Sequence, residues 1–136
     1  DCWQRMIDWL GPQRLVIGGK SLGGRMASMI AVAAGVRGVL CLGYPFHPPG
    51  QAQKVRIAHL QVLNTPALIV QGARDPFGLP DEVATYGLAP SITVHWLADG
   101  DHGFAPRRAS GRTERQNWEK ALVRIGLFLE EFREKR

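Results

Sequence analysis

The spacing of apolar positions changes several times along the chain, and each change marks an element. Met6, Ile7, Trp9 and Leu10 recur as one helical face does and stop at Gly11-Pro12, which predicts the closing turns of a helix. Leu15-Val16-Ile17 is a short β-rich run entering Gly18-Gly19, and residues 22–34 (LGGRMASMIAVAA) then read as a buried helix ending near Gly35. Val39-Leu40-Cys41-Leu42 is a fully apolar strand of the kind parallel sheets bury on both faces. A Pro/Gly-rich loop follows from Gly43 to about Lys54, then a weakly helical stretch through Ile57, Leu60 and Leu63.

Ala67-Leu68-Ile69-Val70-Gln71 predicts a third strand, broken by Gly72, and a helix is expected near residues 80–87. Ile92 to Leu97 predicts a fourth strand, and the loop DGDHGFAPRRASGR leads into a last helix from about Thr113 to Phe132. In that helix Trp118, Leu122, Ile125, Leu129 and Phe132 keep the 3–4 spacing of an amphipathic stripe. Strands alternating with helices define an α/β domain whose parallel sheet carries helices on both faces, with right-handed crossovers as the default.

Composition bounds this reading. The chain has 136 residues, enough for one domain with a real core. No apolar run nears the roughly 20 residues of a membrane helix, and the first residues lack the basic and apolar regions of a signal peptide. A soluble, cytoplasmic protein is therefore expected. Two cysteines, Cys2 and Cys41, are too few for a disulfide scaffold, and the four histidines have no metal-ligand spacing, so neither metal nor cofactor is expected.

The net charge of +5 is unevenly held. Residues 1–66 carry seven bases and two acids, whereas residues 67–136 carry ten of each. Most bases stand singly between apolar residues, and Arg107, Arg108, Arg112 and Arg115 form the main cluster. That is not the basic patch interleaved with aromatics that nucleic acid requires, so no nucleic-acid partner is expected.

The candidate chemistry begins at Val16-Ile17-Gly18-Gly19-Lys20-Ser21-Leu22-Gly23-Gly24. It contains G-x-S-x-G between a strand and a helix, the pattern of a nucleophile elbow. The sharp turn leaves no room for bulk near the serine, so Gly19 and Gly23 are expected to relieve collisions and Gly24 to let the helix approach the sheet. The amide of Leu22, at the helix start, is the expected oxyanion donor. A phosphate-binding loop fails because Arg14 stands where its opening glycine belongs, and a dinucleotide fingerprint fails at Lys20. The plainer alternative is a tight turn with an N-capping serine.

A nucleophilic serine needs a base and an orienting acid, which hydrolases of this topology place later in the chain as acid, then histidine. Asp75 follows the third strand in GARDPFG, and His102 follows the fourth in GDHGF, both at the sheet edge where open α/β folds build their sites. Asp75 alone could be a turn former and His102 a loop histidine; the order Ser21, Asp75, His102 sets them apart. Asp101 is adjacent to His102 and poorly placed to hold its ring, and Asp99 reads as a turn residue. His95 falls inside a strand, packed or at the surface, and His59 reads as an ordinary surface residue. In the loop at 43–54, Tyr44, Phe46 and Pro48 are expected to form the apolar wall of a substrate pocket, with His47 at its edge.

The stretches GGKSLGGRMAS (18–28), LCLGYPFHPPG (40–50), TPALIVQGARDPFG (65–78) and GDHGF (100–104) resemble the α/β-hydrolase superfamily. More narrowly, they are similar to the group joining testis-expressed protein 30 with the third subunit of the non-specific-lethal histone acetyltransferase complex, related in fold to dienelactone hydrolases. The resemblance implies a Ser21-His102-Asp75 triad, hydrolysis of an ester or thioester through an acyl-enzyme, and no cofactor. It also implies that these are the last four strands of the sheet, so residues 1–136 are expected to be the C-terminal part of a three-layer hydrolase domain. The N-terminal strands and the loop giving a second oxyanion donor would then be missing. Were these residues instead the whole chain, the strand at 15–17 would be poorly protected on one side, where a second copy of the chain could pair. Because one branch of the group serves in a chromatin complex, a non-catalytic interaction module is the alternative.

Overall fold

A computed structural model describes residues 2–133. Its elements follow in the order α1 (Cys2–Leu10), β1 (Val16–Lys20), α2 (Leu22–Ala34), β2 (Gly38–Leu42), α3 (Ala58–Gln61), β3 (Ala67–Gly72), α4 (Pro80–Val83), β4 (Ile92–Leu97) and α5 (Glu114–Glu130), with single 3-10 turns at Pro12–Arg14 and Arg108–Ser110. The four strands form one sheet in sequence order, every neighbouring pair parallel. Register runs from Ile17 opposite Val39 to Cys41 opposite Ile69 and Val70 opposite His95. Among the described residues β1 forms one edge and β4 the other.

Strand alternation divides the core into two layers. Ile17, Val39, Cys41, Ala67 and Ile69 face α1, α2 and the segments carrying Tyr44, Phe46, Leu60 and Tyr86. On the opposite face Val16, Leu40, Leu42, Leu68 and Val70 meet α5 through Trp118, Ala121, Ile125, Phe128 and Phe132. The interior strand β3 is buried at every position, which explains why its sequence is apolar apart from Gln71.

The helix ends are set locally. Gly35 closes α2 at φ 71°, and α5 opens with Thr113 accepting from the Gln116 amide at 3.1 Å while Gln116 returns a bond to the Thr113 amide at 2.8 Å. No helix among the described residues is long and apolar enough to cross a membrane.

Two sequence expectations change here. The helix expected at 80–87 is one turn, Pro80–Val83. In α5 the inward stripe is Asn117, Ala121, Ile125 and Phe128, with Trp118 beside it and Phe132 following just past the helix end, while Leu122 and Leu129 lie exposed. Ala121 has almost no side chain to hold the helix off the sheet, so packing selects its row over the one drawn through the leucines.

Candidate active site

The turn after β1 has the geometry the motif demands. Ser21 stands at φ 52° and ψ −120°, a conformation L-residues rarely adopt, and its amide donates to the Leu42 carbonyl at 2.8 Å. Its hydroxyl makes no cap bond to α2, so the plain N-cap alternative does not hold. Space at this turn is short in two places. A Cβ on Gly19 would sit 2.6 Å from the Gly23 carbonyl carbon, and one on Gly24 would sit 2.7 Å from the Gly19 oxygen and 3.1 Å from Cys41 Cβ. Gly23, expected to relieve a collision, has nothing within 4 Å of that position, so the close contact belongs to Gly19 and Gly24.

Ser21, His102 and Asp75, which lie far apart in sequence, converge at the C-terminal ends of β1, β4 and β3. The Ser21 hydroxyl oxygen is 2.9 Å from His102 Nε2, and His102 Nδ1 is 2.7 Å from Asp75 Oδ2. With Asp75 ionised, Nδ1–H donates to the carboxylate, which leaves the Nε2 lone pair facing the serine O–H. Asp75 is 0% exposed, and its second oxygen accepts the Phe77 amide at 2.8 Å. Burial pushes its carboxyl above the ordinary range, against the opposing pull of the His102 and Phe77 hydrogen bonds. Phe77 also lies against the imidazole, with ring centres 4.4 Å apart. A shielded acid, an oriented ring and a hydroxyl on a strained turn can together move a proton off Ser21.

The rival carboxylates hold the loop instead. Asp101 Oδ1 accepts the Gly103 and Ala105 amides, each at 2.9 Å. Asp99, at φ 57°, accepts the Arg107 amide at 2.7 Å and pairs with the Arg107 guanidinium. Leu22 opens α2 with its side chain exposed, and its amide is among those no carbonyl of the helix can reach.

The expected substrate wall is corrected. Tyr44 and Phe46 are both 0% exposed and pack against each other at 4.7 Å between ring centres, within the core rather than along an open pocket. His47, 3% exposed, bonds through Nδ1 to the Pro48 carbonyl at 2.8 Å and through Nε2 to Glu82 at 3.0 Å. Burial works against its charge, but those two acceptors outweigh it and hold His47 above its ordinary pKa. These aromatics are buried because the loop folds back under α4 and is tied there, so it spends them on the core.

His59 is also corrected. It is half-buried, with Nε2 at 2.9 Å from Ser28 Oγ and 3.1 Å from the Tyr44 hydroxyl. Among the described residues this second serine–histidine contact has no carboxylate on the ring, and Ser28 is buried with its hydroxyl donated to the Arg25 carbonyl at 2.7 Å. It is not equivalent to the Ser21 site. Cys41 is a buried thiol, as its apolar run implies, and burial raises its pKa to about 12.

Three supporting residues escape sequence reasoning. Gln71, fully buried, accepts the Tyr44 amide at 2.7 Å and donates to the Tyr44 carbonyl at 3.1 Å, fastening the 43–54 loop to β3. Asn117 donates to the carbonyls of Ala98 and Phe104 at 3.1 and 2.9 Å, bracing the loop that carries His102. Phe77 is the third. The single polar residue in an otherwise apolar strand could have flagged Gln71; Asn117 and Phe77 carry no such signal. A separate groove of about 480 Å³ lies along β4 and α5, lined by His95, Lys120 and Arg124 among others, and none of Ser21, Asp75 or His102 borders it.

A parallel sheet flanked by helices, with a serine on the strand–helix elbow after β1 and an acid and a histidine after β3 and β4, defines an α/β-hydrolase architecture. The chain belongs to that family: the family model described as alpha/beta hydrolase domain matches residues 1–130.

Proposed function

We propose that the protein is a serine hydrolase that cleaves a carboxylester or thioester through an acyl-enzyme. The observation that supports it most is the hydrogen-bonded chain Ser21–His102–Asp75, at 2.9 and 2.7 Å, with the serine held at positive φ. In this mechanism Ser21 Oγ attacks the substrate carbonyl while its proton passes to His102 Nε2. Asp75 keeps the ring oriented and stabilises the imidazolium. The Leu22 amide donates to the tetrahedral oxyanion, whose collapse breaks the carbonyl–oxygen or carbonyl–sulfur bond. His102 returns its proton to the leaving alkoxide or thiolate. Water, deprotonated by His102, then attacks the acyl-serine and releases the acid and Ser21. No cofactor enters the balance.

Within the family, the stretches at 40–50 and 65–78 support a place beside the dienelactone-hydrolase-related group with testis-expressed protein 30. The test is a series of p-nitrophenyl esters of increasing acyl length, with wild type and Ser21→Ala compared. Turnover that depends on chain length and drops by about 10⁴-fold or more in the variant supports the reading. Turnover unaffected by the substitution contradicts it.

A non-catalytic interaction module is favoured by a different observation. Met6, Trp9 and Leu10 are exposed on α1, Trp9 to 80%, next to the β1 edge. A second copy of the chain would cover this apolar helix face together with the β1 edge, which is unpaired among the described residues. A stable dimer without Ser21-dependent turnover would favour this second reading.

A further inference from the structure

Both ring nitrogens of His47 face an oxygen that can only accept. The Pro48 carbonyl lies 2.8 Å from Nδ1, and Glu82 Oε1 lies 3.0 Å from Nε2. A neutral imidazole carries a single N–H, so one of its lone pairs would point at an oxygen lone pair. Both contacts are satisfied together when His47 is an imidazolium and Glu82 a carboxylate. Glu82 Oε1 also accepts the Leu79 amide at 2.9 Å, a second bond that favours its ionised form. With His47 only 3% exposed, the result is a buried cation held by one carboxylate.

That ion pair stands directly behind the acid of the triad. The His47 amide donates to the Phe77 carbonyl at 3.1 Å, and the Phe77 amide donates to Asp75 Oδ1 at 2.8 Å. The Phe77 ring in turn packs on the His102 ring at 4.4 Å between centres. The turn closes through the Gly78 amide on the Asp75 carbonyl at 3.1 Å. His47 therefore holds this turn at Phe77, and Glu82 holds it at Leu79. Between those two anchors lie the carboxylate that orients His102 and the ring that lies against it.

The charged groups that face His47 are Glu82 from α4 and Asp75 from the loop after β3, and both favour its proton. Burial opposes them, yet the imidazole stays above its ordinary pKa. Glu82 is held below the usual carboxylate range, first by its bond from His47. Tyr86, on which the Glu82 charge acts, is pushed upward by burial and stays neutral.

We propose that His47 is a positioning residue for the triad: a buried imidazolium paired with Glu82, it holds the Asp75–Phe77 turn against His102. Loss of its proton breaks one of its two ring contacts and loosens that turn. The effect on turnover rests on the hydrolase reading, whereas the protonation and its effect on the His102 ring do not. The pair contributes fully below the ordinary histidine range near pH 6.5 and is lost as pH rises through the raised value. Hydrolysis should then fall on the alkaline side. The acid limb belongs to His102, which must be neutral to take the serine proton.

The test has two arms on the full chain. In the first, the histidine rings of isotope-labelled protein are followed by NMR as pH is raised. At neutral pH, where an ordinary histidine is mostly neutral, His47 should still carry a proton on both nitrogens. Its later deprotonation should give the His102 ring resonances an inflection at the same midpoint. A single ring N–H on His47 at neutral pH, or a His102 ring without that inflection, overturns the proposal.

In the second arm, kcat for p-nitrophenyl acetate is measured across pH for wild type, Glu82→Gln and His47→Gln. Glu82→Gln keeps an acceptor oxygen without its charge, so the alkaline limb should move to lower pH by about one unit. His47→Gln keeps a donor toward Glu82 but has no titrating ring. It should lose about tenfold in kcat and lose the alkaline limb altogether. A fall by the same factor at every pH, with the limb unmoved, is what a merely structural role gives and overturns the proposal. Should a variant fail to fold, the wild-type NMR titration still decides. If His47 is doubly protonated and coupled to His102 while wild type hydrolyses no ester, the ion pair and its hold on the ring stand and the hydrolase reading falls.

Discussion

Gly72 and Asp101 are in such close contact that no side chain fits at Gly72: a Cβ there would lie 2.2 Å from the Asp101 carbonyl oxygen and 2.3 Å from that of Gly100. The loops carrying Asp75 and His102 thus close directly onto each other, and the Arg74 amide donates to the Gly100 carbonyl at 2.8 Å across the join. Gly72→Ala should force the backbones apart. Hydrolysis should fall steeply, with loss of stability of about 1–3 kcal/mol, typical of overpacking a closed site. Urea unfolding and ester turnover measured on the same preparation check this.

The elbow makes a second contrast. Gly19→Ala meets backbone at 2.6 Å and Gly24→Ala meets it at 2.7 Å, so both should be strongly destabilised. Gly23→Ala meets nothing within 4 Å and adds a helix former in the first turn of α2, so it should be neutral or stabilised by up to about 1 kcal/mol. Thermal melts of the three variants order them.

Asp75 predicts opposite effects on activity and stability. Its folded pKa is raised, so the folded state binds the proton more tightly than the unfolded chain. The stability contribution is then full below the ordinary carboxylate range near pH 3.8 and is lost as pH rises through the raised value. Asp75→Asn removes that loss. The Tm of the variant relative to wild type should rise as pH increases above the ordinary carboxylate range, while kcat falls by about 10⁴-fold through loss of the His102 tautomer. Calorimetry across pH checks the first half and ester kinetics the second.

Asn117 offers a test of loop support at a distance from the reacting atoms. Asn117→Leu leaves the carbonyls of Ala98 and Phe104 without their donor, which should cost about 1–3 kcal/mol for each buried group left unpaired. His102 should then be less well held, lowering kcat more than it changes KM. Steady-state kinetics and chemical denaturation read the two effects separately.

The architecture was legible because parallel strands announce themselves as short apolar runs and the elbow is compact in sequence. Ser21 was marked by its motif, and Asp75 and His102 by chain order together with their places just after a strand. The aromatics of the 43–54 loop could not. Phe and Tyr fit a pocket wall or a core equally well by composition, and tethers distant in sequence turn them inward: Gln71 on the Tyr44 amide and carbonyl, and Glu82 on His47. The α5 stripe misled for a related reason: leucine spacing matches a helical face, but the small Ala121 decides which face can approach the sheet. His59 gave no signal because its partners, Ser28 and Tyr44, lie far away in sequence.

The central claim, that Ser21 is a nucleophile activated by His102, is tested most directly by labelling the folded full chain with a fluorophosphonate and mapping the adduct by mass spectrometry. The account predicts one adduct, on Ser21, lost in His102→Ala while Ser28→Ala still labels. No adduct on the folded protein, or an adduct on Ser28 with Ser21 unmodified, would contradict it.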